Sequence, residues 1–248
     1  MKEASPCMPT LVVPAAGGTV LGLVFAATLG GAWLTIHITG IFFWSWRPEL
    51  VPAAIAVVAL QAWLSTGLFI IAHDCMHGSL APGRPRINKV IGIVSLAAYA
   101  ALSYRAMLPK HLEHHAAPGT ETDPDFHPSE PRRPIAWFIR FFRGYYTHGQ
   151  VARITVAAIV YMLLGASLLN IVIFWAVPAL LALVQLFTFG TYLPHRHTDE
   201  EFADGHRARS NSLSPLGSLL TCYHFGGYHH EHHLSPTTPW WGLPKIRQ

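Results

Sequence analysis

The chain has 248 residues, 51% of them hydrophobic and only 12% charged, whereas soluble domains carry about 25% charged residues. With a mean hydropathy of +0.32, this composition excludes an ordinary soluble domain and points to a polytopic membrane protein. The pI near 9.1 does not imply nucleic acid, because no soluble domain with a basic face and aromatic platforms is visible. The three cysteines, Cys7, Cys75 and Cys222, are odd in number, include no C-x-x-C, and suggest no disulfide framework.

No Asp, Glu, Lys or Arg occurs from Ala4 to Trp46, a run of 43 residues. A membrane helix needs about 20 apolar residues, and Pro6, Pro9 and Pro14 interrupt the start. One span is therefore expected at 17–38, with His37 near its end as a packed or interfacial residue. No cleavable signal peptide is apparent. The turn WSWRPEL brings Trp44 and Trp46 to the membrane interface. A second uncharged run, Leu50 to His73, predicts a span at 51–72, and His73-x-x-x-His77 begins where it leaves the lipid.

A Gly- and Pro-rich loop follows, GSLAPGRPRINKVIG. Val90 to Leu102 is apolar but short, and reads as interfacial or re-entrant. Next come His111-x-x-His114-His115 and an acidic, proline-rich loop, with a helix restarting at Ile135. The uncharged run Ile154 to Pro194, 41 residues long, predicts a helical hairpin with spans at 153–170 and 172–193. Asn170 and Pro178 are its expected bends. His195 stands immediately beyond. A polar stretch leads to His229-x-x-His232-His233 and to a terminal PWW, whose Trp240 and Trp241 are expected at the interface.

The architecture read from this pattern is an all-α, single-domain membrane protein (1–248) with four transmembrane helices. A histidine-rich helical cap is formed by 73–152 and 194–248. Most Lys and Arg lie between Arg84 and Arg153 or after Pro194, while the other inter-helix turns hold only Arg47. The positive-inside rule then puts both termini and all three histidine boxes in the cytoplasm.

Spacings of three and four put side chains on one helix face, so each box aims its imidazoles together. Neutral imidazole is the commonest protein metal ligand. The candidate ligands are His73, His77, His111, His114, His115, His195, His229, His232 and His233. A tetrahedral zinc site is full with four, so nine suit two ions with four or five ligands each. Imidazole accepts iron, copper, nickel or zinc, and a redox role favours iron. Metal-bound imidazoles commonly donate their second N–H to a carboxylate. Asp74, Asp125 and Glu231 are the candidate catalytic and supporting acids, with Glu113 a further interleaved acid. Cys75 reads as a packing neighbour rather than a thiolate ligand. His230 falls off the box pattern, and His127, His148, His197, His206 and His224 carry no assignment.

The three boxes on a four-span protein resemble the integral-membrane fatty acid desaturase and hydroxylase superfamily. Three longer stretches resemble one family within it, the bacterial β-carotene 4-ketolases. These are IAHDCMHGSLAPGRPRIN (Ile71 to Asn88), FGTYLPHR (Phe189 to Arg196) and LLTCYHFGGYHHEHHLSPTTPWWGLP (Leu219 to Pro244). The likeness covers most of the chain beyond the N-terminus. It implies two irons held by the boxes, with His195 matching a further ligand after the last membrane helix. His197 departs from the family pattern and takes no ligand role.

The resemblance also implies O2 as co-substrate and two successive hydroxylations at C4 of a β-ionone ring, followed by loss of water to a ketone. β-Carotene would become echinenone and canthaxanthin, and zeaxanthin would become astaxanthin. Substrate would come from the lipid of the bacterial inner membrane. The chain has no flavin, haem or nicotinamide motif, so electrons would come from an external protein such as ferredoxin. Oligomeric state is left open. Phe69, Phe187, Phe189, Tyr192 and Phe225 are candidates to line the substrate's approach. The alternatives are an acyl-lipid desaturase, or a fatty acid or carotenoid hydroxylase, with the same iron site. A metal-storage protein or transporter is more remote, because transporters set polar groups near the bilayer midplane and these spans hold almost none.

Overall fold

The computed structural model describes residues 17–247, so Lys2, Cys7 and the three early prolines lie outside it. Among the described residues every regular element is a helix. Helix α1 (Gly17–Ile38) continues through a π-helical turn, Thr39–Phe43. Helix α2 (Val51–His77) starts with Pro52 in its first turn, where a missing N–H costs nothing. It stops directly after His77 because Gly78 adopts φ 71°, a left-handed cap that glycine accepts without strain. Helices α3 (Pro85–Ala100) and α4 (Tyr104–Ala116) meet at 102°. Then come α5 (Pro134–Tyr145), α6 (His148–Leu163) and α7 (Leu168–His195), the last interrupted by two π-helical stretches. Two short helices, α8 (Pro215–Cys222) and α9 (His229–Leu234), precede a closing 3-10 turn.

Among the described residues, three segments are long and apolar enough to cross a membrane: Gly18–Phe43, Pro48–His77 and Leu168–His195. Bent α3–α4 adds a fourth only if it is counted as one broken span. Large apolar side chains such as Val20, Ile55, Val156 and Leu180 stand exposed on the outer faces, as lipid contact requires.

The centre of the molecule is the second half of α2, buried almost continuously from Leu64 to Cys75. Apolar burial gives no drive between helices in lipid, so packing and interhelical hydrogen bonds matter more, the latter at about 0.6 kcal/mol each. Trp33 donates to Ser65 Oγ at 3.0 Å, tying α1 to α2. Thr66 donates to Gln185 Oε1 at 2.7 Å, tying α2 to α7. Tyr99 donates to the Ala179 carbonyl at 3.2 Å, tying α3 to α7.

Two expectations are corrected. The turn between α6 and α7 lies at 164–167, not near 170. Gly165 takes φ 98° there, and Ser167 Oγ accepts from the Asn170 N–H, so turn chemistry was available earlier in the chain. Asn170 is instead buried and acts as a clamp. It accepts from Trp46 Nε1 at 2.7 Å and donates to the carbonyls of Ile41 and Trp44. Trp240 is likewise not an interfacial residue. It is buried against Phe25 and Tyr223, and its backbone N–H donates to Asp74 Oδ2 at 3.0 Å. A buried carboxylate needs donors, and this one draws the C-terminal turn inward.

Candidate metal centre

Helices α2, α4, α7 and α9 bring their histidine-bearing ends together. His73 and His77 share a face on the last turn of α2. Ser103 caps α4 by accepting from the Ala106 N–H, which starts the helix carrying His111, His114 and His115. The π-helical stretch Leu186–Tyr192 precedes His195, and such a bulge shifts the facing of all that follows. Tyr223 and His224 have φ 47° and 72°, left-handed values that turn the chain toward α9. Gly67 allows this turn to approach α2, since a Cβ there would lie 2.5 Å from Tyr223 Oη.

The nine histidines form two groups. His73, His77, His111, His115 and His232 have ligand atoms within 4.8 Å of one another, and so do His114, His195, His229 and His233. The division cuts across the boxes. Adjacent residues on a helix point about 100° apart, so His114 and His115 serve different groups, as do His232 and His233. His111 Nε2 lies 2.6 Å from His77 Nε2, and His232 Nε2 lies 3.1 Å from His115 Nε2. In the second group His229 Nε2 lies 2.9 Å from His195 Nε2 and 3.1 Å from His233 Nε2.

These separations fit shared cations. His195 Nδ1 donates to the Arg207 carbonyl at 2.8 Å, and a carbonyl can only accept, so neutral His195 carries no proton on Nε2. The single proton His229 Nε2 could hold cannot serve two neighbours. Ligands at right angles around an ion at ~2.1 Å would lie about 3 Å apart. Burial, reinforced by the surrounding imidazoles, pushes His229, His232 and His233 well below the ordinary imidazole value. They are therefore neutral near pH 7, as metal ligation requires.

The fatty acid desaturase family model matches residues 48–154 and 145–248. The chain belongs to the fatty acid desaturase family. A β-carotene ketolase from Paracoccus sp. (strain N81106 / MBIC 01143) is 44% identical over 240 residues, covering 97% of this chain and 98% of the relative. A second β-carotene ketolase, from Paracoccus sp. (strain PC1), is 44% identical over 94% of each chain. A zeaxanthin 4-ketolase of Chlamydomonas reinhardtii is 37% identical over 92% of this chain and 53% of its own length. Family and apolar helices together make this a multi-pass membrane protein.

The carboxylates in this desaturase-family chain differ from expectation. Asp123, not singled out from the sequence, accepts from His114 Nδ1 with both oxygens at 3.0 Å, and from the N–H groups of Gly119 and Asp125. Burial alone would raise its pKa, but His114 and these backbone donors outweigh that and hold the carboxyl below its ordinary value. With Nδ1 so engaged, His114 has Nε2 left for the second group. The signal was present as the D-P-D pair, of which the loop turns the first aspartate toward His114. Asp125 accepts from Tyr145 at 2.5 Å and stands 3.9 Å from His114 Nδ1. Burial pushes Asp125 up to about 6; His114 pulls against this and Asp123 adds to it.

Asp74 lies behind His73, with Oδ1 3.6 Å from His73 Nδ1, beyond hydrogen-bond reach. Glu231 faces away from the imidazoles and accepts from Ser210 and, at 2.5 Å, from Arg247. Two positions after His229 on a helix lead off the face shared by 229, 232 and 233. Glu113 is exposed. Cys75 is a buried free thiol outside both groups. Among the unassigned histidines, His37 bonds to Tyr161 Oη, His224 stacks on Trp240, and His230 pairs with Asp204. His127, His148, His197 and His206 also lie outside the two groups.

A cavity of about 490 Å³ ends on these histidines. Its walls come from α2, α3, α5, α6 and α7, and it follows α7 from Leu168 to Thr191. Of the aromatics expected along the approach, Phe69 and Phe225 line it. Phe187 instead packs with Phe126 and Trp137 beside Tyr192, and Phe189 also lies off the cavity wall.

Proposed function

We propose that this chain is a membrane oxygenase that installs a keto group at C4 of carotenoid β-ionone rings. It would take β-carotene through echinenone to canthaxanthin, and zeaxanthin to astaxanthin. The observation that carries this reading is the cavity, apolar, elongated and ending on both histidine groups, in a chain 44% identical to named β-carotene ketolases. Several of its lining residues, Phe142, Val151, Val172 and Leu180, are also exposed on the outer surface. A polyene dissolved in the bilayer therefore has a lateral way in.

The two histidine groups would hold two iron ions, five ligands on one and four on the other. Iron bound there supplies O2 activation and the power to break an allylic C–H bond. The protein's own part is orientation and exclusion. Apolar walls position the ring. Phe225 lies 4.5 Å from the His73 ring and 4.8 Å from that of His232, keeping water off that side. Asp123 holds His114 in the tautomer that offers Nε2. Each oxygenation consumes O2, two electrons and two protons, and the electrons would come from an external protein such as ferredoxin.

Connectivity supports four crossings. α2 and α7 both end at the histidines, so those ends share one side. α7 begins on the opposite side, while Tyr145 at the end of α5 bonds to Asp125 near the histidines. On this reading helix α6 would cross between them, although its 16 residues reach only ~24 Å. The Arg- and Lys-rich loops on the histidine side favour the cytoplasmic face of the inner membrane. Co-expression with a β-carotene pathway tests the reading. Echinenone and canthaxanthin are the expected pigments; unchanged β-carotene beside an altered acyl-chain profile would overturn it in favour of an acyl-lipid desaturase.

A further inference from the structure

We propose that the Asp125–Tyr145 pair captures the hydroxyl left on the ring by the first oxygenation, holding the half-oxidised ring for the second. The proposal rests on the ketolase reading. A ketolase differs from a hydroxylase in not stopping at the alcohol, so something must favour the alcohol in the site. A hydroxyl buried without a partner is disfavoured, and a wholly apolar pocket would release it to the lipid.

Asp125 and Tyr145 line the cavity next to His111 and His114. Tyr145 Oη donates to Asp125 Oδ1 at 2.5 Å, which orients the carboxylate. Trp137 Nε1 donates to the Asp125 carbonyl at 2.5 Å, which fixes the backbone. Asp125 Oδ2 accepts no hydrogen bond among the described residues; its neighbour His114 Nδ1 is 3.9 Å away and already bonded to Asp123. Two other polar groups on the walls, Tyr99 and Gln150, are engaged elsewhere. Tyr99 donates to the Ala179 carbonyl and Gln150 to the Ala100 carbonyl. Asp125 thus lines the cavity with one oxygen fixed by Tyr145 and the other, Oδ2, left as an acceptor for a hydroxyl on the reacting ring.

In the first round C4–H2 becomes C4–H(OH), with O2, two electrons and two protons consumed and one water released. The alcohol then donates its O–H to Asp125 Oδ2. The second round converts the remaining C4–H to a second hydroxyl at the same cost in O2, electrons and protons. The resulting geminal diol loses water to give the ketone. The pair acts only through the hydrogen bond, and the electrons come from the external donor.

The test compares the parent chain with Asp125→Asn and Asp125→Leu in β-carotene-producing cells, reading the ratio of 4-hydroxy to 4-keto rings. Hydrogen bonds to charged groups are about twice as strong as neutral ones. The ratio should rise several-fold in Asp125→Asn, and about tenfold or more in Asp125→Leu. Equal ratios in all three overturn the proposal. A parent that makes no ketone refutes the ketolase reading instead. Should the Leu variant fail to accumulate, Asp125→Asn is examined by binding in lipid discs without an electron donor, where no turnover occurs. Tryptophan quenching by 4-hydroxy-β-carotene and by β-carotene gives the parent's preference for the alcohol. That preference should fall several-fold in the variant; an undiminished preference sinks the idea.

Discussion

Replacing Asp123 by Asn separates the two halves of the metal centre. The change keeps side-chain shape but turns one acceptor into a donor. Asp123 now accepts four short contacts, two from His114 Nδ1 at 3.0 Å, one from the Gly119 N–H at 2.7 Å and one from the Asp125 N–H at 2.8 Å. An amide cannot satisfy all of these donors at once. Hydrogen bonds to charged groups contribute about 1.5–3 kcal/mol, and losing a carboxylate behind a metal-bound histidine typically costs 10- to 100-fold in affinity. His114 belongs to the four-histidine group and not to the five-histidine group. The variant should therefore lose about one of two metal ions rather than both. Metal analysis of purified protein reads this directly, with iron per chain falling from about two toward one. Two irons retained at parental affinity would refute the claim that Asp123 sets the tautomer of His114. Loss of both together would refute the division into two groups.

His77→Ala should deplete the five-histidine site first, and His233→Ala the four-histidine site, with ketone production lost in each; full ketone yield from either variant contradicts the ligand assignment. Ala179→Trp inserts an indole into the cavity at the middle of α7, so ketone formation should fall at least tenfold while iron content stays unchanged, measured by pigment and metal analysis on the same cells. A reporter fused after Gln248 should be active in the cytoplasm; activity only outside the inner membrane would reverse the orientation read from the loop charges.

The helices themselves were legible because lipid imposes a simple demand. A run without charge must hide its own backbone polar groups, and a helix does so unaided. The candidate ligands were legible for a similar reason, since spacings of three and four act within one helix. Turn position was less so. Asn170 looked like a break, yet its amide is what clamps α7 to the carbonyls of Ile41 and Trp44, partners over 120 residues away. Trp240 looked interfacial until a buried carboxylate on α2 supplied its partner.

By itself the sequence determined which imidazoles share a helix face, which segments are apolar enough for lipid, and which side of the membrane the charges favour, all properties of neighbours within a few turns. The tertiary structure alone decided how nine imidazoles divide into five and four, that Asp123 rather than Glu231 supports one of them, and that Asp125 faces a cavity. Those outcomes depend on the angles at which four helix ends meet, and no local periodicity encodes an angle between helices.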